Sequence, residues 1–205
     1  MSVFVFDLDG VIRYWDNPNI VGHAERDHGL PGGAILAVAF ATDLLMDVTT
    51  GVITDDEWRA DVAQRLQATY PDADATGAVD AWSRPCGELL PGSVEILERV
   101  RQYGPVCLLT NATSRLADDL NALGITDHFD HVFNSSEIGY AKPDPRVFEH
   151  VERQVNARPG EIVYVDDGPA NVEAAARRGW CSLLASPAAS LAELVTPLLD
   201  DRLPG

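Results

Sequence analysis

The feature that most limits the fold of this chain is a series of short apolar runs, each followed by a helix pattern. Residues 2–8 (SVFVFDL) are rich in β-branched and aromatic side chains and stop at Asp9-Gly10. Residues 105–110 (PVCLLT), 161–165 (EIVYV) and 181–185 (CSLLA) have the same character, and 131–133 is a weaker example. Runs that are apolar at nearly every position suit strands covered on both faces, as in a parallel sheet. Helices able to cover it are predicted over 94–102, 113–123, 145–155 and 169–178, with a last one at 191–199. Pro145 and Pro169 open two of them, and Gly104, Gly124 and Gly179 follow the ends of three. This order predicts an α/β fold, a doubly wound parallel sheet with right-handed crossovers.

Residues 13–85 break the rhythm. Helical patterns are predicted at 33–46, 55–70 and 73–82, with no convincing strand. The expected organisation is an α/β core from 1–12 and 86–205, with an all-helical insertion at 13–85 placed just after the first strand.

Charge narrows the partners. Lys and Arg total 15 against 32 Asp and Glu, a formal net charge of −17. Such a field repels nucleic acid and anionic membrane surfaces, so neither is expected. It also repels a phosphorylated substrate unless a bound cation and a few Lys or Arg residues reverse the sign locally. No apolar run approaches the roughly 20 residues that span a bilayer, and the N-terminus lacks the basic stretch of a signal peptide, so a cytoplasmic protein is expected. Cys86, Cys107 and Cys181 are widely spaced and odd in number; Cys107 and Cys181 read as buried strand residues rather than disulfide or metal ligands.

Polar residues stand at the carboxyl ends of the strands, where sheets of this type hold their ligands. Asp7 and Asp9 are two apart, so in extended chain they face the same side. Two carboxylates there repel unless a cation intervenes or one is protonated, which suits a nucleophile beside a general acid/base with a hard metal ion. The plainer reading is a strand-end turn. Thr110-Asn111 ends a strand ahead of a helix, where a hydroxyl and free N–H groups can hold phosphate oxygens or simply cap the helix. Lys142, in Ala141-Lys142-Pro143-Asp144-Pro145, lies in a loop stiffened by proline and could neutralise a phosphoryl group, or sit solvated on the surface. Asp166-Asp167 ends another strand, and magnesium takes one or two carboxylates of this kind.

Taken in order, FDLDGV, LLTNAT, AKPDPRVF and VDDGPANVEAA resemble the four motifs of the haloacid dehalogenase (HAD) superfamily, over the first dozen residues and most of 85–185. The resemblance implies a Rossmann-like core and Mg²⁺-dependent hydrolysis of a small phosphomonoester through an aspartyl-phosphate. It implies Asp7 as nucleophile and Asp9 as acid/base. Mg²⁺ would be held by Asp7, the Asp9 carbonyl and Asp167, with Asp166 as alternative. Thr110, Asn111 and Lys142 would bind phosphate, with Asn171 supporting the acids. The insertion falls where one subclass carries a helical cap, so Arg13, Trp15, His23, Arg26, His28, Trp58 and Arg59 are candidates for substrate contact. A monomer or homodimer is expected. The rivals are a dehalogenase, which has no need of Asp9; a sugar phosphomutase of the β-phosphoglucomutase type, whose sequence after DGV usually differs; and a phospho-accepting signalling module, whose acidic pair comes first rather than last.

Overall fold

A computed structural model describes residues 2–187 and 189–200. In chain order the elements are β1 (Val3–Phe6), β2 (Arg13–Tyr14), α1 (Asn17–Asp27), α2 (Ala34–Ala39), α3 (Thr42–Thr49), α4 (Asp55–Thr69), α5 (Ala75–Ser83) and β3 (Glu88–Leu89). They continue with α6 (Ser93–Val100), β4 (Val106–Thr110), α7 (Leu116–Ala122), β5 (His131–Asn134), α8 (Ser135–Ile138), α9 (Pro145–Val155), β6 (Ile162–Asp166), α10 (Pro169–Arg177), β7 (Cys181–Leu184) and α11 (Leu191–Asp200).

Five strands form one sheet in the order β5-β4-β1-β6-β7, all parallel. The unbroken apolar character of β1 has a direct cause in this arrangement. Phe4 and Phe6 enter one core cluster, with Ile96, Leu97 and Leu120, while Val3 and Val5 enter a second, with Val147, Phe148 and Val151. Successive side chains leave opposite faces of a strand, so a strand sandwiched by helices must be apolar at every position. Because β1 lies between β4 and β6, the residues following all three emerge side by side at one edge of the sheet. The strand order reverses around β1, which makes that edge the expected ligand crevice.

The segment between β1 and α6 builds a third apolar cluster from α1 to α5, including Val21, Ile35, Leu44, Val62 and Val79. Its longest helix, α4, opens with a reciprocal cap: the Thr54 hydroxyl accepts from the Glu57 N–H and the Glu57 carboxylate accepts from the Thr54 N–H. The helix expected over 33–46 is two helices, because the chain becomes extended at Ala41 (ψ 136°) and restarts at Thr42. That break folds Leu44 and Val48 back onto the same cluster as Ile35. Residues 13–14, expected within the all-helical insertion, instead pair as β2 with β3, Arg13 against Leu89 and Tyr14 against Glu88. This two-residue ribbon ties together the points where the chain leaves and rejoins the sheet layer. Cys107 is buried and Cys181 half-buried, and all three cysteines are free thiols.

Candidate active site

Asp7 follows the last residue of β1, its N–H bonded to the Val165 carbonyl of the neighbouring strand (2.9 Å). Its carboxylate accepts from the Leu8 N–H at 2.7 Å and meets the Lys142 ammonium at 2.8 Å. Lys142 is not the surface residue its loop suggests; it is 5% exposed. Its ammonium also touches Asp166 at 2.7 Å and donates to the Leu109 carbonyl at 2.9 Å. Its backbone is gripped by the Asn111 side chain, which accepts from the Lys142 N–H at 2.8 Å and donates to its carbonyl at 2.9 Å. Thr110, buried at the end of β4, stands one residue earlier.

Asp166 has both carboxylate oxygens occupied. Oδ1 accepts from the Gly168 N–H (2.7 Å) and the Asn171 amide (3.0 Å), and Oδ2 accepts from Lys142 and the Tyr164 hydroxyl. Burial pushes its acidity up, but Lys142 and these hydrogen bonds outweigh burial and hold it below the ordinary aspartate value. Asp7 goes the other way: burial, with the nearby Asp166 charge, pushes it up to about 7 against the pull of Lys142. Asp167 is also raised, by burial and by Asp166. Gly10 fits against Asp167 so closely, at φ 75°, that a Cβ there would collide with the Asp167 carboxylate.

Asp7, Asp166 and Asp167 each offer an oxygen, all within 4.8 Å of one another. Three acids around one lysine are a donor set that fits a hard divalent cation. With Asp166 saturated by protein donors, Asp7 and Asp167 are the carboxylates left to hold one. The Asp9 carboxylate is not part of that cluster.

Asp9 turns instead to the start of the helical segment. Its Oδ1 accepts from Arg13 Nε (2.7 Å) and Trp15 Nε1 (2.8 Å), and its Oδ2 from Arg13 Nη2 (3.0 Å). Arg13 reaches on through Nη1 to Asp119 (3.0 Å) and to the Cys86 carbonyl (3.2 Å). Asp119 also binds Arg115 (2.8 Å), which donates to the Ser83 and Pro85 carbonyls. Two arginines braced by one carboxylate thus hold the segment where the chain returns from the helices. Asp119 and Tyr164 carry no sequence signal of their own. Asp119 reads as half of a surface i,i+4 pair with Arg115, and Tyr164 as one more residue of an apolar strand, although it lies two before Asp166 and so on its side.

A cavity of about 340 Å³ opens beside Asp9 and Asn111, bounded by Trp15, Trp58 and Arg13 among others. The other residues singled out in the helical segment lie elsewhere. His23 and Arg26 are exposed on α1, His28 pairs with Asp74, and Arg59 pairs with Asp55 and Asp56. A larger groove of about 670 Å³ on α4 and α5, lined by Ala60, Ala63 and Gln67 among others, reaches none of Asp7, Asp9, Asp166 and Asp167, so it lacks the chemistry of the smaller one.

The family model for haloacid dehalogenase-like hydrolases matches residues 1–179. Bifunctional epoxide hydrolase 2 of Rattus norvegicus is 22% identical over 93% of this chain, which spans only 37% of that relative's length. Validoxylamine A 7'-phosphate phosphatase of Streptomyces hygroscopicus subsp. limoneus is 28% identical, over 87% of this chain and 82% of its own. Among solved structures, a HAD family enzyme of Bacteroides thetaiotaomicron in complex with magnesium and inorganic phosphate superposes with a TM-score of 0.73, at 20% identity, covering 90% of this chain and 93% of that one. No helix among the described residues is long and apolar enough to cross a membrane. Fold, motif order and family match agree: the chain belongs to the haloacid dehalogenase-like hydrolases and is an enzyme of that family.

Proposed function

We propose that this hydrolase is a Mg²⁺-dependent phosphatase of small phosphomonoesters, working through an aspartyl-phosphate on Asp7. The observation that carries the reading is the position of Lys142, whose single ammonium lies 2.8 Å from Asp7 and 2.7 Å from Asp166 while Asp167 completes the acidic cluster. A neighbour of the same fold that binds magnesium and phosphate, and a relative named as a phosphatase, support it.

In this reading the Asp7 carboxylate attacks phosphorus, breaking the bond to the ester oxygen, which takes a proton from Asp9. Asp9 then removes a proton from the water that cleaves the aspartyl-phosphate, so both Asp7 and Asp9 return to their starting states. Arg13 and Trp15 fix the position of the Asp9 side chain through three hydrogen bonds. Thr110 and the Asn111 backbone receive the phosphoryl oxygens, and Lys142 offsets their charge. When bound by Asp7, Asp167 and the Asp9 carbonyl, Mg²⁺ would polarise the phosphoryl group and offset charge there. Residues 13–85 act as a cap that excludes water from the site. Asp9 favours this chemistry over dehalogenation, which has no proton to deliver.

The test is release of p-nitrophenol from p-nitrophenyl phosphate. Asp7→Asn should lower kcat by roughly a thousandfold or more, because an amide is a poor nucleophile, with the melting curve retained. EDTA should stop the parent enzyme and Mg²⁺ restore it. Unchanged turnover in Asp7→Asn, or indifference to chelation, would remove the mechanism.

A further inference from the structure

The cavity beside Asp9 has walls of Trp15, Phe40, Leu45, Val48, Trp58 and Trp82. Trp58 and Trp82 meet edge to face, with ring centroids 5.5 Å apart. Charged groups line it as well, and their bonds decide what it can hold. Arg13 spends all three nitrogens on Asp9, Asp119 and the Cys86 carbonyl. Arg115 spends its three on Asp119 and the Ser83 and Pro85 carbonyls. Asp55 is taken by Arg59 and by the Thr113 hydroxyl (2.7 Å), and the Asn111 amide by Lys142. The Trp58 indole N–H donates to the Ala39 carbonyl (3.1 Å) and the Thr49 hydroxyl to the Leu45 carbonyl (2.6 Å).

A second phosphate or a carboxylate on the substrate would therefore find no unengaged guanidinium. A polyhydroxylated group would shed water against largely apolar walls and regain only part of its hydrogen bonds, from carboxylates already engaged elsewhere. Apolar and aromatic surface meets the opposite situation, since these walls gain from covering it. The volume, about 340 Å³, is roughly twice that of a 150 Å³ cavity able to take benzene.

Resting on the phosphatase reading, we propose that the leaving group of the substrate is a compact, uncharged and largely apolar alcohol of one or two rings. It sits against the tryptophan and phenylalanine walls with its ester oxygen toward Asp9. Hydrolysis then yields that alcohol and inorganic phosphate, the P–O bond breaking and the alcohol oxygen taking the proton from Asp9. Trp15, which donates to Asp9 and walls the cavity, puts the apolar group and the proton donor side by side.

The experiment compares kcat/KM in Mg²⁺ for 2-phenylethyl phosphate and cyclohexylmethyl phosphate with glycerol 3-phosphate and glucose 6-phosphate, with p-nitrophenyl phosphate as reference. The apolar esters should exceed the polyhydroxylated ones by about tenfold or more, the discrimination expected of an apolar pocket. Phe40, 51% exposed, can be cut to alanine without emptying the core. Phe40→Ala should lower the ratio of kcat/KM for 2-phenylethyl phosphate to that for acetyl phosphate by about tenfold. Parity between the two groups of esters, or an unchanged ratio in Phe40→Ala, overturns the assignment of the leaving group while turnover of the reference ester leaves the phosphatase reading standing. No turnover of any ester, the reference included, overturns both.

Discussion

Asp119 lies between Arg13 and Arg115 with its side chain only 12% exposed, and it answers the charge of both. Removing it leaves Arg115 with only carbonyl partners and Arg13, 4% exposed, with Asp9 as its remaining counter-charge. Breaking a buried pair from one side costs more than the pair contributes, because the remaining charge keeps its desolvation penalty. Asp119→Ala should therefore destabilise the protein by about 3 kcal/mol, read as a shift in the urea midpoint with the slope unchanged. A loss under about 0.5 kcal/mol would mean that solvent screens the cluster as it does a surface pair. The same residue marks where reading the sequence stops. Asp7, Asp166 and Asp167 stand out because they end or follow apolar strands, so burial and charge conflict visibly in the letters, whereas Lys142 is marked only by the prolines of its loop. Asp119 sits in the polar helix stretch ADDLN, where a carboxylate is ordinary, and only the approach of the distant Arg13 adds a buried partner to the local one, Arg115. Lys142 was legible as a charge but not as a buried one, because its burial depends on the distant clamp from Asn111.

Glu152 of α9 shows how helices are tied together over the sheet. It accepts from Arg178, at 2.9 and 2.6 Å, and from the Trp180 indole at 2.8 Å, joining α9 to the link between α10 and β7. Burial alone pushes its carboxyl up, but the Arg178 and Trp180 hydrogen bonds outweigh burial and hold it below the ordinary value of 4.5. A depressed carboxyl stabilises the fold above the unfolded value and loses that contribution as pH falls through the lower folded one. Glu152→Gln should cost about 1 kcal/mol near neutral pH, with the gap from the parent closing as pH drops below 4.5. A gap that stays constant from pH 7 down to about pH 3 would assign the effect to shape rather than charge. The elements themselves were largely legible. The strands and the helices over the sheet fall within a few residues of their patterns, because the strands are apolar throughout and most of the helices show a period and are bounded by Gly or Pro. What escaped is short or imposed from outside. The β2–β3 ribbon has two residues a side, too few for any periodicity. The break between α2 and α3 follows from packing against the third cluster, and α1 hides in a polar stretch whose apolar contacts come from Ile20, Val21 and Ala24.

At the scale of the molecule, two facts pull against each other for the phosphatase proposed here. The α4 end of the helical segment meets the loop after β4, through the Thr113 hydroxyl on Asp55 (2.7 Å) and the Asp55 N–H on the Ser114 hydroxyl (3.0 Å). That contact helps shelter a site able to take an anion, on a chain whose net charge is −17. Beyond the site, the field repels a phosphate dianion; within it, Lys142 and the cation proposed to sit on Asp7 and Asp167 would attract one. Screening length decides which is felt, since the Debye length falls from about 30 Å at 10 mM salt to about 8 Å at 150 mM. The long-range repulsion is therefore suppressed by salt, while contacts under 3 Å such as Lys142 to Asp7 are little changed. At saturating Mg²⁺, kcat/KM for p-nitrophenyl phosphate should rise a few-fold as KCl goes from about 10 to 150 mM, with kcat nearly constant. A fall over the same range would mean that the positive field of the site extends past the protein surface and outweighs the acidic exterior during approach.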